Sequence, residues 1–210
     1  MSEKIINKYF PELDKNQLNQ LKEFGKLIQF WNDKINIISR KDIDNVVGHH
    51  TLHSLFIKKV INFKEGANVL DLGTGGGFPG IPLAICFPET HFHLVDARAK
   101  KISVVKEAIE TLKLKNITAE HKRAEELKSK YDFVVTRAVA KMEKLMAWSR
   151  PIISEKQQHS IPNGIFALKG GNIKDILSEL DKHEYMEEYP ISDWTDMEYY
   201  IEKYVIYAQA

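Results

Sequence analysis

The residues best suited to chemistry are Val69-Leu70-Asp71-Leu72-Gly73-Thr74-Gly75-Gly76-Gly77-Phe78-Pro79-Gly80, in which a β-prone apolar run enters a glycine-dense turn. Glycine permits positive φ, and without a Cβ it lets a ligand approach the main chain. Pro79 suits the first position of a following helix, where a missing N–H costs nothing. A strand–turn–helix unit of this kind cradles a cofactor at the carboxyl edge of an open parallel sheet. Gly75, Gly77 and Gly80 meet the G-x-G-x-x-G spacing of dinucleotide sites, a spacing that discriminates poorly by itself. Asp96 closes the next β-prone run, where a carboxylate can accept hydrogen bonds from both hydroxyls of a ribose. That geometry would serve NAD as well as any other adenosine-bearing cofactor. Ala124-Glu125 follows a third run and Arg137 ends a fourth, so both face the same crevice in such a fold. Glu125-Glu126 also fits the start of a solvated helix, and Arg137 also fits a surface ion pair.

The elements that must position these residues are legible as a change of period. Before residue 65 the pattern is helical: Asp14 and Gln17 form a capping pair, and Leu18, Leu21, Phe24, Ile28 and Trp31 recur at steps of three and four. A second apolar stretch surrounds Leu52, Leu55, Phe56 and Val60, and the segment 64–68 punctuates its end. After that, short β-prone runs fall at 69–72, 92–96, 117–121, 132–136 and 165–169, with a last strand expected at 199–208. Ile102, Val105, Ile109 and Leu112 mark an amphipathic helix between the second and third runs. Ile173, Ile176, Leu177 and Leu180 suggest another helix, and 154–163 reads as a loop. Strands alternating with helices imply an α/β fold with a mostly parallel sheet and right-handed crossovers. The expected division is a helical appendage over residues 1–65 and a Rossmann-like domain over 66–210.

Asp71 inside the glycine run gives D-x-G-x-G-x-G, which resembles motif I of class I S-adenosylmethionine-dependent methyltransferases. In that class the acidic residue helps organise the methionine end of the cofactor. A more specific likeness covers most of the chain in order. The run 71–84, the pair Ala124-Glu125, Val135-Thr136-Arg137-Ala138-Val139 and Ala167-Leu168-Lys169-Gly170-Gly171 resemble the RsmG family, also called glucose-inhibited division protein B. Trp31-Asn32-Asp33-Lys34-Ile35-Asn36 and His50-x-x-His53-Ser54-Leu55 resemble its helical N-terminal part. The resemblance implies methylation of N7 of a guanine in 16S ribosomal RNA, with S-adenosylmethionine as cofactor on a class I fold. It also implies cofactor contacts from Gly73, Phe78, Ala124, Glu125 and Arg137, beside Gly75, Gly77 and Asp96 from the motif itself. The Asp/Asn-Pro-Pro-aromatic motif of enzymes that methylate exocyclic amino groups is absent near Arg137. Guanine N7 carries an in-plane lone pair and needs no deprotonation, so no catalytic acid or base is assigned. Two departures stand out: His53 where the family commonly has aspartate, and Ile161-Pro162-Asn163-Gly164 in place of a glycine pair.

Composition bounds the alternatives. The chain has 210 residues and an ordinary charged fraction, which excludes disorder, and no apolar run is long enough to span a bilayer. A single cysteine, Cys86, excludes an internal disulfide and a thiolate metal site, and it reads as a small buried residue. No carboxylate or cysteine stands at ligand spacing from His49, His50 and His53, so no metal is expected. Trp148, Trp194 and the C-terminal tyrosines read as core. The cytoplasm is the expected compartment, and 16S ribosomal RNA or the small ribosomal subunit the expected partner. Residues 178–203 carry a net −7 in a chain of net +1, so the remainder carries +8. That asymmetry allows a basic face, with Arg40, Lys41, Lys100, Lys101, Arg123, Lys141 and Lys144 as candidates for RNA contact. A methyltransferase for a small molecule or a protein would need no such face, and an NAD(P)-dependent oxidoreductase is the rival in another enzyme class.

Overall fold

A computed structural model of the chain describes residues 2–39 and 42–210. Arg40 and Lys41, two candidates for the basic face, lie outside the described residues. Seven strands form one sheet: β1 (Asn68–Leu72), β2 (His91–Asp96), β3 (Ile117–His121), β4 (Phe133–Arg137), β5 (Gly164–Gly170), β6 (Met186–Pro190) and β7 (Lys203–Gln209). Their order is β3-β2-β1-β4-β5-β7-β6, and β7 runs antiparallel to both of its neighbours. The first five strands pair in parallel, with β1 between β2 and β4. Chain direction across the sheet therefore diverges at β1 and β4, and open α/β sheets bind ligands at the carboxyl ends of such strands. A reversed strand inserted between the fifth and sixth departs from the 3-2-1-4-5-6 order of dinucleotide-binding sheets.

Alternate residues of the central strands feed two apolar layers. Val69, Phe133, Val135, Phe166 and Tyr207 belong to one core, while Leu70, Val134, Ile165 and Ile206 belong to the other. Burial on both faces is why these strands read as apolar runs and not as alternating ones. The first layer also takes in the N-terminal helices α1 (Ser2–Tyr9) and α2 (Lys15–Asn32). Asp14 caps α2 by accepting from the Gln17 N–H at 2.8 Å, while the Gln17 side chain accepts from the Asp14 N–H at 3.1 Å. The apolar stripe then faces inward: Leu21, Phe24 and Ile28 are buried, and Phe24 meets Phe78 at a ring distance of 4.9 Å. One continuous core thus joins the N-terminal helices to the sheet.

Residues 46–59 form a helical run whose winding tightens along its length. Val46–Thr51 is a π-turn, Leu52–Leu55 is α-helical (α3) and Phe56–Lys59 is 3₁₀. Beyond β1 come α4 (Gly80–Cys86), α5 (Ala99–Thr111), α6 (Met142–Ser149) and α7 (Ile173–Leu177). Pro79 is the N-cap of α4 and not its first residue; the turn is one residue longer than the motif suggested because Gly80 N–H is drawn to Asp71. β7 begins at Lys203, four residues later than expected. Glu198–Tyr200 is instead a 3₁₀ turn whose Tyr200 is buried against Phe56 and whose hydroxyl donates to Gly48 O. The sequence reading missed β6, an edge strand with two glutamates, and α6, whose Met142, Leu145, Met146 and Ser149 face the second core. No helix among the described residues is long and apolar enough to cross a membrane.

Because Phe24 is fully buried between helix and sheet, Phe24→Ala should cost about 3–5 kcal/mol of unfolding free energy. Urea unfolding followed by tryptophan fluorescence and by circular dichroism should stay a single coincident transition. Separate transitions would contradict one shared core.

Candidate functional site

The glycine turn is closed from beneath by Asp71. Its side chain is fully buried at the end of β1, and Oδ2 accepts from Thr74 Oγ1 at 2.6 Å and from the Gly80 N–H at 2.8 Å. The N–H groups of Gly73 and Thr74 donate to Val95 O, which fastens the turn to β2. Asp71 therefore shapes the turn without lining the cleft above it. Burial pushes its carboxyl up to about 7, against the downward pull of the Thr74 and Gly80 hydrogen bonds.

Two of the glycines divide the labour of the turn. Gly75 has φ +59°, and a Cβ there would meet only Lys101 Nζ at 3.7 Å, so this backbone edge is open to a ligand. Gly77 has φ +101°, and a Cβ there would lie 2.6 Å from Ile81 Cδ1 and 3.3 Å from Phe24 Cζ. Its role is packing beneath the turn, and it lines neither of the hollows described next.

A cleft of about 600 Å³ lies over the carboxyl ends of β1, β2, β4 and β5. Gly73, Gly75, Phe78, Asp96 and Arg137 all line it. A side hollow of about 220 Å³ continues from it and shares Gly73, Asp96, Ala97 and Val139 with it. Ala124 and Glu125 line the side hollow together with Trp148. Asp96 stands where the two meet. Its oxygens accept from the Gly75 N–H at 2.9 Å and the Arg98 N–H at 2.8 Å, which fixes the carboxylate and leaves further lone pairs for a ligand. Glu125 is exposed, and its Oε1 accepts from Trp148 Nε1 at 3.0 Å. The half-buried indole of Trp148, expected in the core, packs against the second core and also forms a wall of the side hollow.

Around Arg137 and Phe78, the far wall is built by residues that the motif did not indicate. Arg137 ends β4 with its guanidinium 4.8 Å above the Phe78 ring and Nη1 2.8 Å from His50 Nδ1. Burial draws this guanidinium down to about 10, so it stays charged at neutral pH. Burial and the nearby arginine bring His50 down to about 4, so its imidazole is neutral there. His53 is also buried and held well below its usual range by the same causes. His49 stacks on Tyr199 at 3.5 Å, and its Nδ1 is 2.7 Å from Asp42 Oδ1. Lys203 lies 4.0 Å over the same Tyr199 ring. Asp42, His50, His53, Tyr199 and Lys203 all line the cleft. Their sequence signals were the density of histidines at 49–53 and the family likeness of His50-x-x-His53, and nothing linked either to a tyrosine 150 residues away. No group of three or more His, Cys, Asp or Glu among the described residues is arranged to hold a metal ion. Cys86 is buried, with its thiol pushed up to about 12 by burial.

A ligand in this cleft would find a fixed carboxylate and an open backbone edge at its centre, an aromatic-walled hollow on one side and a cation on the other. That donor set suits a nucleoside carrying a charged tail. Comparison with known proteins agrees with the fold and narrows the family. The family described as "rRNA small subunit methyltransferase G" matches residues 17–195. The chain is 48% identical over 204 residues to a Bacteroides fragilis protein named "Ribosomal RNA small subunit methyltransferase G", covering 97% of this chain and 98% of the other. A Bacteroides thetaiotaomicron protein of the same name is 49% identical over 205 residues, with 98% of each chain covered. Among solved structures, the fold resembles M. jannaschii TYW2 in complex with AdoMet (TM-score 0.54, 15% identity, 84% of this chain and 78% of that one). It also resembles precorrin-6y C5,15-methyltransferase from Geobacter metallireducens (TM-score 0.54, 14% identity, 84% and 92%).

The Asp71 carboxyl supplies a test of the turn. A folded-state value near 7 against an ordinary 3.8 means the folded chain binds this proton more tightly than the unfolded one. The resulting stabilisation is full below the unfolded value and is lost as pH rises through about 7. Asp71→Asn keeps an acceptor oxygen but does not titrate. The unfolding free energy of the unmutated chain should therefore fall relative to that of Asp71→Asn between pH 5 and pH 7.5. Parallel pH profiles would mean that Asp71 is not held in this environment.

Proposed function

This chain belongs to the rRNA small subunit methyltransferase G family, and we propose that it transfers the methyl group of S-adenosylmethionine to N7 of a guanine in 16S ribosomal RNA. The observation that carries this reading is the convergence of Gly75, Asp96, Ala124 and Arg137 on one continuous hollow over the point where the sheet diverges. The reversed β7 supports it over a dinucleotide oxidoreductase.

Asp96 is the acceptor for the ribose hydroxyls, already fixed by the Gly75 and Arg98 N–H groups. The adenine ring fits the side hollow between Val139, Ala124 and Trp148, with Glu125 at its edge. Gly73 and Gly75 let the main chain approach the bound cofactor, and Phe78 forms the floor beneath Arg137. Arg137 reaches toward the amino-acid tail as a planar donor of five N–H groups. S-adenosylmethionine, when bound, supplies an electrophilic methyl on a sulfonium sulfur. Guanine N7 would accept that methyl through its in-plane lone pair. No proton leaves N7, so the cleft needs no general base, and the two carboxylates that line it are both engaged by protein groups. Holding the two reactants in line can then account for about 7 kcal/mol or more of the barrier.

The acceptor enters from the side of β4, β5 and β7, since the side hollow and Asp96 take the other end. Lys100, Arg123, Lys141 and Lys144 are exposed, and Lys101 lines the cleft. Of these, Arg123 and Lys144 border the side hollow, at the cofactor end and away from the side where the acceptor enters, so they suit phosphates of RNA that extends past the cleft. A ribosomal substrate makes the cytoplasm the site of action.

The reading is tested with labelled S-adenosylmethionine and small ribosomal subunits from cells lacking this modification. Label should enter a single guanine of 16S ribosomal RNA as 7-methylguanine; label in ribosomal protein or in no macromolecule would overturn the substrate assignment. Asp96→Ala should weaken cofactor binding by about 1.5–3 kcal/mol, the scale for hydrogen bonds to a charged group. Asp96→Asn, which keeps one acceptor oxygen, should fall between. Calorimetry without RNA checks both.

A further inference from the structure

Arg137 is a half-buried cation without a carboxylate partner among the described residues, in contrast to Arg150, which pairs with Glu184. Its one recorded hydrogen bond in the described structure runs to the ring of His50. A guanidinium has no acceptor, so His50 Nδ1 must accept and cannot carry a proton. The ring proton then sits on Nε2, which is 3.2 Å from Asp42 Oδ2, a contact that is close but not aligned as a hydrogen bond. Asp42 is itself anchored through Oδ1 by His49, whose ring is stacked on Tyr199. Asp42 and His50 precede the sheet, while Arg137 ends β4. His50 lies in the π-turn Val46–Thr51, and such turns are frequent at functional sites because they shift side chains out of α-helical register.

We propose that Asp42 and His50 are positioning residues for Arg137: a neutral imidazole aims the guanidinium across the cleft without cancelling its charge, which is left for an anionic group of the bound ligand. This rests on the reading of the cleft as a methyltransferase site that Arg137 touches. A carboxylate in place of His50 would hold the arginine equally well, but it would also quench it. The imidazole separates orientation from charge compensation, and the nearest carboxylate, Asp42, stands one ring further away. The N-terminal helical segment thereby completes a site whose other parts lie on the sheet and on the turns and helices that follow its strands.

Three variants and one double variant test this: Arg137→Ala, His50→Leu, His50→Asn, and His50→Leu with Arg137→Ala. Two quantities are read, the dissociation constant for S-adenosylmethionine without RNA and the single-turnover rate on unmodified small subunits. His50→Leu should impair whichever quantity Arg137→Ala impairs, by about tenfold, the scale of coupled neighbours. His50→Asn places an acceptor oxygen near the Nδ1 position and should recover most of that loss. The double variant should be no worse than Arg137→Ala alone. The proposal is overturned if His50→Leu behaves like the unmutated chain, if Asn rescues no better than Leu, or if the two losses multiply. If His50→Leu does not fold, Asp42→Ala serves in its place; it should lose severalfold, and nothing further in the Arg137→Ala background. Full binding and turnover in Arg137→Ala would overturn the role given to that arginine and this inference with it. An impaired Arg137→Ala beside an intact His50→Leu would overturn this inference alone.

Discussion

The site depends first on a buried carboxylate. Asp71 lies with no solvent contact at the end of β1, and one of its oxygens holds both Thr74 Oγ1 and the Gly80 N–H. Those two bonds span the turn, from its third residue past the aspartate to the start of α4. They hold Gly75 and Gly77 in positive φ with the Gly75 edge turned outward. The other oxygen has no partner, so the group sits where its charge is costly, and burial raises its proton affinity accordingly. A local cost of this kind persists where the surrounding structure over-determines the geometry. Here α4, β2 and the N-terminal helices all press on the same turn: a Cβ at Gly76 would meet Ile37, one at Gly77 would meet Ile81, and one at Gly80 would meet Leu94.

From that turn the cleft is polarised. At its centre Asp96 is a fixed acceptor, prepared by two backbone donors before any ligand arrives. At the far wall Arg137 is a fixed donor, prepared by a neutral ring and an aromatic floor. The separation of a negative from a positive group across a partly desolvated space would orient a ligand carrying both ribose hydroxyls and a charged tail. Exposed ion pairs elsewhere, such as Lys8 with Asp196, have no comparable leverage, because water screens them.

How much of this was legible depended on whether the signal was local. The turn, the Asp96 carboxylate and the strand-end arginine were readable because each falls at a fixed place in a strand–turn–helix grammar, and of the expected cofactor contacts all but Gly77 border the hollows. Gly77 satisfies the same grammar but serves packing, a distinction that needs the position of Phe24 from another helix. α6 carries a readable three-and-four stripe, Met142, Leu145, Met146 and Ser149, obscured by its short length. β6 was not readable: an edge strand with Glu187 and Glu188 lacks both the apolar run of a buried strand and clear alternation. The rest of the far wall was illegible for a different reason. Tyr199 and His49 stack across the fold, and no periodicity within either segment encodes that meeting.

The same reasoning explains why the N-terminal helices cannot be treated as an accessory surface. Phe24 fills the space beneath Gly77 and Phe78, and Ile37 closes against Gly76, so these residues support the underside of the turn. Asn32 at the end of α2 accepts from the N–H groups of both Ile37 and Ile38 at 2.9 Å, folding the chain back toward the cleft that those two residues line. The helical run from Val46 then delivers His50 to the guanidinium of Arg137. A sheet alone would present the turn and the strand ends, as any doubly wound fold does. The glycine packing and the aimed arginine come from the segment before it. An RNA that docks on those helices would thus meet groups in direct contact with the reacting cleft, which gives substrate binding a short physical route to the residues that align the base.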